Sequence, residues 1–279
     1  MKTFPEIVTF RITSKCNNNC KYCYGPQKDI EELDFLKLKR LFHLFSKNGV
    51  KAIVLTGGEP LVREDFEEII KELKKLNFKI FLDTNGDLFF KYSDLITKNI
   101  DVLGLPIDFP NKSYRNSDNL NTIFNILNFF KDKSQKPILR IGTVVTNDNI
   151  NELEKIGDLI KDYPIDIWKI YEFIPQNNAV KNKSLLEVSL QQFDETAQKI
   201  KDKFSAYFKI VISKRKNRTN AYFFVASNGE VFMPVDDFNI CREIKIGNVF
   251  DKDIIEKWGK FVSENNYQDN AKDTFNYRF

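Results

Sequence analysis

Strand-like and helix-like segments alternate regularly through the first two thirds of this 279-residue chain. The strand-like segments cover residues 7–12, 52–56, 79–83, 102–107, 138–145 and 165–173. The helix-like segments between them cover residues 34–47, 64–76, 93–98, 121–131 and 150–161. Strands that alternate with helices pair in parallel through right-handed crossovers, so the sequence predicts an α/β fold. Because six such units are fewer than the roughly eight of a closed barrel, we expect a partial (β/α)6 barrel of parallel strands.

The pattern changes after the sixth predicted strand. Ser189 and Gln192 have the spacing of a capping box, which predicts a helix that runs to about Phe204. Two later strand-like runs flank Ser227-Asn228-Gly229, which is typical of a hairpin. We therefore expect a core at residues 1–180, a small α+β cap at residues 181–262, and a polar, loosely held tail at residues 263–279.

Three cysteines follow the first predicted strand in a C-x3-C-x2-C pattern: Cys16, Cys20 and Cys23. Thiolates at this spacing can hold three irons of a cubane [4Fe–4S] cluster and leave the fourth iron open to another ligand. A zinc site is the alternative, with Cys241 or His43 as fourth ligand. A disulfide is not expected, since the N-terminal segment does not resemble a signal peptide, so we expect a reducing, cytoplasmic compartment.

Two further polar motifs end predicted strands. Thr56-Gly57-Gly58-Glu59-Pro60 ends the second strand, and Asp83-Thr84-Asn85-Gly86 ends the third. With the cysteines, and in this order, they make the chain similar to the radical S-adenosylmethionine (radical SAM) superfamily, which carries a GGEP motif. The resemblance implies an oxidoreductase or modifying enzyme with one [4Fe–4S] cluster. Such an enzyme cleaves SAM to a 5′-deoxyadenosyl radical, which then abstracts hydrogen from a substrate.

The same resemblance implies where SAM binds. Gly57 and Gly58 lack Cβ and allow close approach of the main chain, Glu59 offers a carboxylate to the SAM ammonium, and Pro60 constrains the turn. The implied SAM contacts are Tyr22, Gly57, Gly58, Glu59, Pro60, Thr84 and Asn85. An external electron donor such as flavodoxin or ferredoxin is implied as a partner.

Charged residues also occur within or at the ends of later strands. A charge in a buried strand is costly unless it meets a ligand or a counter-ion, so it marks either a binding site or an internal salt bridge. We predict contacts with SAM or substrate for Asp108, Arg140, Thr143, Lys169 and Tyr171. An internal salt bridge that only shapes the barrel remains the alternative.

The C-terminal part resembles a degenerate SPASM or Twitch extension of radical SAM enzymes. The hairpin of that extension usually ends in Pro-Cys and binds an auxiliary cluster, whereas here Pro234 is followed by Val235. Cys241 is the one remaining cysteine, and a single thiolate does not hold a second cubane. We therefore expect a structural lid without an auxiliary cluster and a buried or spare Cys241.

The substrate is the least constrained part of the interpretation. A peptide or protein side chain is the first hypothesis. A weaker likeness to viperin-like enzymes, in the segments WKIYEFIP and AYFFVASNGEVFMP, favours a nucleotide instead. A non-catalytic Fe–S or zinc binding module is an alternative of another class.

Composition limits the other partners. The chain has 43 Lys and Arg against 39 Asp and Glu, interspersed along its helices, so nucleic acid is not an expected partner. Its most basic segment, residues 214–218, fits either contact with phosphates or a loop between two strands. No apolar run is long enough to predict a membrane span.

Overall fold

A computed structural model describes residues 4–25, 30–115, 119–237 and 240–275. The strands are β1 (Ile7–Thr13), β2 (Ala52–Gly57), β3 (Lys79–Asp83), β4 (Val102–Pro106), β5 (Ile138–Val145), β6 (Ile167–Glu172), β7 (Lys209–Ser213), β8 (Phe224–Val225), β9 (Glu230–Asp237) and β10 (Ile240–Asn248). The helices are α1 (Phe35–Lys47), α2 (Phe66–Lys75), α3 (Ser93–Asn99), α4 (Asn119–Phe130), α5 (Leu153–Ile160), α6 (Lys183–Leu186), α7 (Leu190–Phe204), α8 (Arg215–Arg218), α9 (Ile254–Gly259) and α10 (Glu264–Phe275). Short 3-10 turns occur at Pro60–Val62, Phe89–Tyr92, Ile150–Glu152 and Asn177–Asn182.

The strands form one sheet in the order β10-β9-β8-β1-β2-β3-β4-β5-β6-β7. Each neighbouring pair from β1 to β7 is parallel, which confirms the α/β partial barrel. The expected count of six parallel strands was too low, because β7 extends the series beyond β6. The crossover between β6 and β7 contains α7, whose first turn has the predicted capping box between Ser189 and Gln192.

Strand alternation divides the core into two layers. On β6, Trp168 points outward and packs against Phe204 and Phe208, with ring centroids 5.9 and 5.8 Å away. Ile167 points inward, where it joins a small cluster of buried side chains: Ala52, Phe81, Val102, Ile167 and Val211. Lys169 and Tyr171 follow Ile167 at alternate positions and therefore lie on the same inner face. The inner face is apolar near the amino ends of the strands and polar toward their carboxyl ends.

The C-terminal elements pack against the other edge of the sheet. As predicted, β8 and β9 form a hairpin, and β8 also pairs in parallel with β1. Residues 264–275 form α10 instead of a loosely held tail. Tyr267 anchors it, because its ring contacts Trp258 at 5.7 Å and its hydroxyl accepts a hydrogen bond from the Glu6 amide at 2.8 Å. The proposed boundary at residue 180 stays a prediction, although α7 and β7 lie beyond it and extend the barrel.

Candidate active site

A cavity of about 220 Å³ opens at the carboxyl ends of the parallel strands. This edge of an α/β sheet is where binding sites usually form, because the loops that follow each strand meet there. All three motifs contribute to its wall, through Cys16, Cys20, Cys23, Gly57, Gly58, Glu59, Thr84 and Asn85. The predicted contacts Tyr22, Asp108, Arg140 and Tyr171 line it as well.

The cysteine loop provides three thiols to this cavity. The amide of Asn18 donates to Cys16 Sγ at 3.4 Å, and the amide of Gly25 donates to Cys23 Sγ at 3.3 Å. Hydrogen bonds of this kind stabilise thiolates and tune Fe–S clusters, so the donors present fit a cubane held by this loop. Burial raises the pKa of Cys20 to about 11, so a thiol rather than a thiolate is favoured there without a positive ligand.

The thiols share the cavity without converging on one point. Among the described residues, no three His, Cys, Asp or Glu side chains are grouped closely enough to hold a single metal ion. The two candidates for a fourth zinc ligand lie elsewhere. His43 is on α1, where its Nε2 lies 3.2 Å from Glu72 Oε1. Cys241 is on β10, where its thiol donates to Gln176 Oε1 at 3.1 Å.

The two glycines of the GGEP motif bring chain segments together. Gly57 has a φ of +139°, and a Cβ there would lie well inside contact distance of the Thr13 carbonyl oxygen. A Cβ at Gly58 would collide with the Lys15 carbonyl. The Gly58 amide donates to Thr13 O and the Glu59 amide donates to Lys15 O, both at 2.9 Å. Glycine is therefore required here because the end of β2 packs directly on the start of the cysteine loop.

Glu59 connects the GGEP motif to the motif after β3. Its Oε1 accepts from the Leu61 amide at 3.0 Å and from the Thr84 hydroxyl at 2.6 Å, while Oε2 accepts from the Asn85 amide at 2.6 Å. The side chain is buried, and this burial raises the pKa of Glu59 to about 7. The three donors favour the ionised form and partly offset that effect.

The predicted contacts beyond β3 fall into two groups. Asp108 and Arg140 lie on the cavity wall, each in an ion pair: Asp108 Oδ2 with Arg115 Nη1 at 2.8 Å, and Arg140 with Asp83. Gly104 makes room for the second pair, since a Cβ there would overlap both partners. Arg140 therefore forms an internal salt bridge, which was the alternative to a ligand contact in the sequence analysis.

Tyr22 extends the Asp108 group, because its hydroxyl donates to Asp108 Oδ2 at 2.6 Å. Tyr171 also lies on the wall, and the guanidinium of Arg218 is 5.4 Å from the centroid of its ring.

Pro60, Thr143 and Lys169 do not line the cavity. Thr143 faces outward, where its hydroxyl donates to Ile107 O at 2.5 Å and accepts from Trp168 Nε1 at 2.9 Å. Lys169 is buried on the inner face with its ammonium 5.2 Å from the centroid of the Tyr171 ring. Any role of these residues in binding stays a prediction.

Sequence reasoning missed three arginines of the wall: Arg11, Arg115 and Arg218. Arg11 lies on β1 and forms an ion pair with Glu243 of β10. A charge inside the apolar run of β1 is the same signal that identified Arg140, so it could have been found. Arg218 lies on α8 within the basic segment 214–218, and because its neighbours are also basic, the sequence does not single it out.

Comparison with known proteins agrees with these features. Residues 10–160 match the profile of the Radical SAM superfamily. The chain is 26% identical to an S-adenosylmethionine-dependent nucleotide dehydratase of Flammeovirga pacifica, over 81% of this chain and 81% of that protein. It is 28% identical to a probable GTP 3',8-cyclase of Methanococcus maripaludis, over 85% of this chain and 80% of that protein.

Two solved structures share the fold. Streptococcus suis SuiB bound to S-adenosylmethionine superposes with a TM-score of 0.72 at 16% identity, covering 96% of this chain and 68% of SuiB. The enzyme anSMEcpe with bound AdoMet and the Kp18Cys peptide gives a TM-score of 0.68 at 19% identity, covering 94% of this chain and 83% of anSMEcpe. None of the helices in the described part of the chain is long and apolar enough to cross a bilayer.

Proposed function

The chain belongs to the radical SAM superfamily, and from this premise we propose that it modifies a nucleotide bound in the cavity beside the cysteine loop. As a radical SAM enzyme it uses a [4Fe–4S] cluster and SAM. When bound, these cofactors supply a 5′-deoxyadenosyl radical that abstracts hydrogen from the substrate. The chain's own residues bind the cofactors, orient the substrate beside them and exclude water.

Cys16, Cys20 and Cys23 are the proposed cluster ligands. Their common cavity and the amide hydrogen bonds to two of the sulfurs support this assignment. One cluster is proposed, and residues 181–262 act as a lid without an auxiliary one. Cys241 contacts Gln176 outside the cavity, in agreement with this lid. Ligation requires reduced thiols, so a cytoplasmic compartment remains our proposal, with flavodoxin or ferredoxin as the electron donor.

Glu59 is proposed both to position the SAM site and to contact SAM. A carboxylate has about four acceptor sites, and protein donors occupy three of those of Glu59. The remaining site on Oε2 is proposed for the SAM ammonium. The backbone around Gly57 and Gly58, with Thr84, Asn85 and Tyr22, forms the rest of the proposed SAM site.

The residues that line the cavity are the main reason for proposing a nucleotide as the substrate. Four arginines, Arg11, Arg115, Arg140 and Arg218, share the wall with Tyr24 and Tyr171. Guanidinium groups are well matched to phosphate oxygens, and aromatic rings stack on bases. The two relatives compared above bear names of nucleotide-converting enzymes, which supports the same choice. A peptide substrate is the second candidate, because anSMEcpe has a related fold and binds a peptide.

The test is 5′-deoxyadenosine release by the anaerobically reconstituted protein. Nucleoside triphosphates should accelerate release above the rate without substrate, whereas a peptide fraction of similar concentration should leave it unchanged. A ribose-deuterated triphosphate should pass deuterium to 5′-deoxyadenosine, which separates true hydrogen abstraction from uncoupled SAM cleavage. Stimulation by the peptide fraction alone would replace the nucleotide proposal with the peptide one.

A further inference from the structure

The four arginines of the cavity wall differ in how their charges are balanced. Three of them pair with a carboxylate: Arg11 with Glu243, Arg115 with Asp108, and Arg140 with Asp83. Each of these pairs is close to neutral before any ligand arrives. The pairs therefore shape the wall, and the carboxylate of each pair offsets much of the attraction of its arginine for an incoming anion.

Arg218 lacks such a partner. Its Nη2 donates to the main-chain oxygen of Glu172, and its buried Nε has no hydrogen-bond partner. Among the side chains that the structure describes, no carboxylate forms an ion pair with its guanidinium. The residue is only 8% exposed, yet it borders the cavity. A buried cation without a counter-ion is costly, and a ligand anion would remove that cost.

Neighbouring residues also fix the position of Arg218. Its guanidinium lies 5.4 Å from the centroid of the Tyr171 ring, which restricts its orientation. The helix that carries it, α8, is held by two side chains of α10. Asn266 Nδ2 donates to the carbonyls of Lys216 and Thr219, each at 3.0 Å, and Asn270 Nδ2 donates to that of Asn217 at 2.5 Å. Arg218 is therefore preorganised, so little side-chain entropy is lost when it binds an anion.

We propose that Arg218 is the anion-binding residue of the substrate cavity and holds an oxyanion of the substrate against the end of β6. The identification of that oxyanion as a phosphate rests on the proposed nucleotide function. A substrate carboxylate presents the same chemistry to the guanidinium, and the experiments below separate the two sources. The assignment replaces Lys169, which lies off the wall, and Arg140, which is already paired.

The first experiment does not depend on the natural substrate. Inorganic tripolyphosphate is titrated by calorimetry into the cluster-loaded, SAM-bound protein. Arg218→Met should weaken its binding by about 10- to 100-fold, as expected for loss of a charge-assisted contact, and Arg218→Lys should restore part of the affinity. The matched control is Arg215→Met. Arg215 lies on the same helix and is equally buried, but it pairs with Asp236 and Glu187 and does not border the cavity.

Cluster content and the circular dichroism spectrum verify that each variant is folded; if Arg218→Met fails this check, Arg218→Lys carries the comparison with a smaller expected loss. Equal tripolyphosphate affinity in the wild type and the Arg218 variants would overturn the proposal. So would an equal loss in Arg215→Met, because the effect would then reflect the charge of α8 in general. Absence of measurable binding to the wild type would overturn it as well.

The second experiment identifies the source of the anion. KM is measured for a nucleoside triphosphate and for the matching nucleoside in 5′-deoxyadenosine release. Arg218→Met should raise KM for the triphosphate by about 10- to 100-fold and change KM for the nucleoside by less than about threefold. If the wild type responds to peptides instead, the nucleotide function fails. The anion role then stands only if amidation of the peptide carboxylates reproduces the effect of Arg218→Met.

Discussion

Two sides of the cavity wall are built differently. The proposed cofactor side is formed by residues within 16–25, 57–59 and 83–85, which lie at or after the carboxyl ends of the neighbouring strands β1, β2 and β3. The proposed substrate side includes Arg11, Arg140, Tyr171, Glu172 and Arg218, and Arg11 pairs with Glu243 of β10. Contacts on the cofactor side join short motifs, as Glu59 does with Leu61 and Asn85. On the substrate side they join distant positions, and Arg11 and Glu243 are 232 positions apart.

This difference shows which parts of a site a motif can encode. On the cofactor side the backbone itself carries the geometry, so particular residue types are required at fixed spacing. On the substrate side Arg11 and Arg140 are each balanced by a carboxylate from a different element, whereas Arg218 is not. The cofactor side therefore carries the motifs by which the chain resembles its superfamily, while the contacts of the substrate side follow no comparable motif. The experiments below separate the two sides.

The largest expected effect is on the cofactor side. Replacement of Cys16, Cys20 or Cys23 by Ala should abolish the cluster and all SAM cleavage, since two thiolates do not retain a cubane at this loop. Cys241→Ala is the matched control and should keep both. Iron and sulfide analysis after anaerobic reconstitution measures the result. About eight irons per wild-type chain would contradict the single-cluster proposal.

The next effect concerns Glu59 and SAM. Glu59→Gln should weaken SAM binding by about 10- to 100-fold while cluster content stays intact, because a charge-assisted hydrogen bond is lost. SAM titration of the cluster-loaded protein by calorimetry measures this. An unchanged affinity would assign Glu59 to loop positioning alone.

The pH dependence of SAM affinity gives an independent measure of the same residue. The pKa of Glu59 is about 7 in the folded chain, compared with an ordinary value of 4.5. Between these values the folded chain holds a proton that the unfolded chain has released, so the contribution of Glu59 to stability falls as pH rises. The SAM ammonium prefers the ionised carboxylate, so affinity should increase as pH rises through about 7. Glu59→Gln should remove this slope, and a slope that persists would have another origin.

A smaller effect is expected where the lid meets the barrel. Glu243→Gln leaves Arg11 buried without its carboxylate and should lower the free energy of unfolding by about 3 kcal/mol. The exposed pair of Lys260 and Glu256 provides the control, and Glu256→Gln should cost less than about 1 kcal/mol. Chemical denaturation of the cluster-free proteins under reducing conditions compares the two. Equal losses would mean that the lid contact is no stronger than a surface pair.

The smallest effect is expected at Lys169. Because its ammonium lies off the cavity wall, Lys169→Met should change KM for the substrate by less than about threefold, far below the effect of Arg218→Met. Steady-state 5′-deoxyadenosine release by both variants makes the comparison. A larger loss at Lys169 than at Arg218 would reverse the assignment of the anion-binding residue.

The sequence was informative wherever a local rule applied. Periodicity identified β1 to β6, and the spacing of Cys16, Cys20 and Cys23 pointed to the cofactors. It was less informative where the partner of a residue lies far along the chain. The steric need for Gly57 and Gly58 was attributed to a ligand, whereas the nearest atoms belong to Thr13 and Lys15. Such contacts depend on how β1 and β2 pack, which no single segment specifies.

The charged strand residues illustrate the same limit. The cost of a buried charge drew attention to Arg140, but it could not decide between a ligand and an internal salt bridge, and the structure pairs Arg140 with Asp83. Arg218 lies in a run of basic residues, and such a run is typical of a solvated loop. The helix that carries Arg218 is held by α10, which the polar composition of residues 263–279 did not predict. Alternation along β6 placed Lys169 on the inner face but could not show whether it reached the cavity.

The bonds from α10 to α8 also bear on the order in which the molecule is assembled during synthesis. The cysteine loop, GGEP and the motif after β3 all lie within residues 16–86 and leave the ribosome early. Asn266 and Asn270, which hold the helix that carries Arg218, are synthesised almost two hundred residues later. A nascent chain can therefore present its thiols to a cluster donor before the cavity can retain an anion. A chain interrupted ahead of α10 would keep the cluster motif and lose the support for α8.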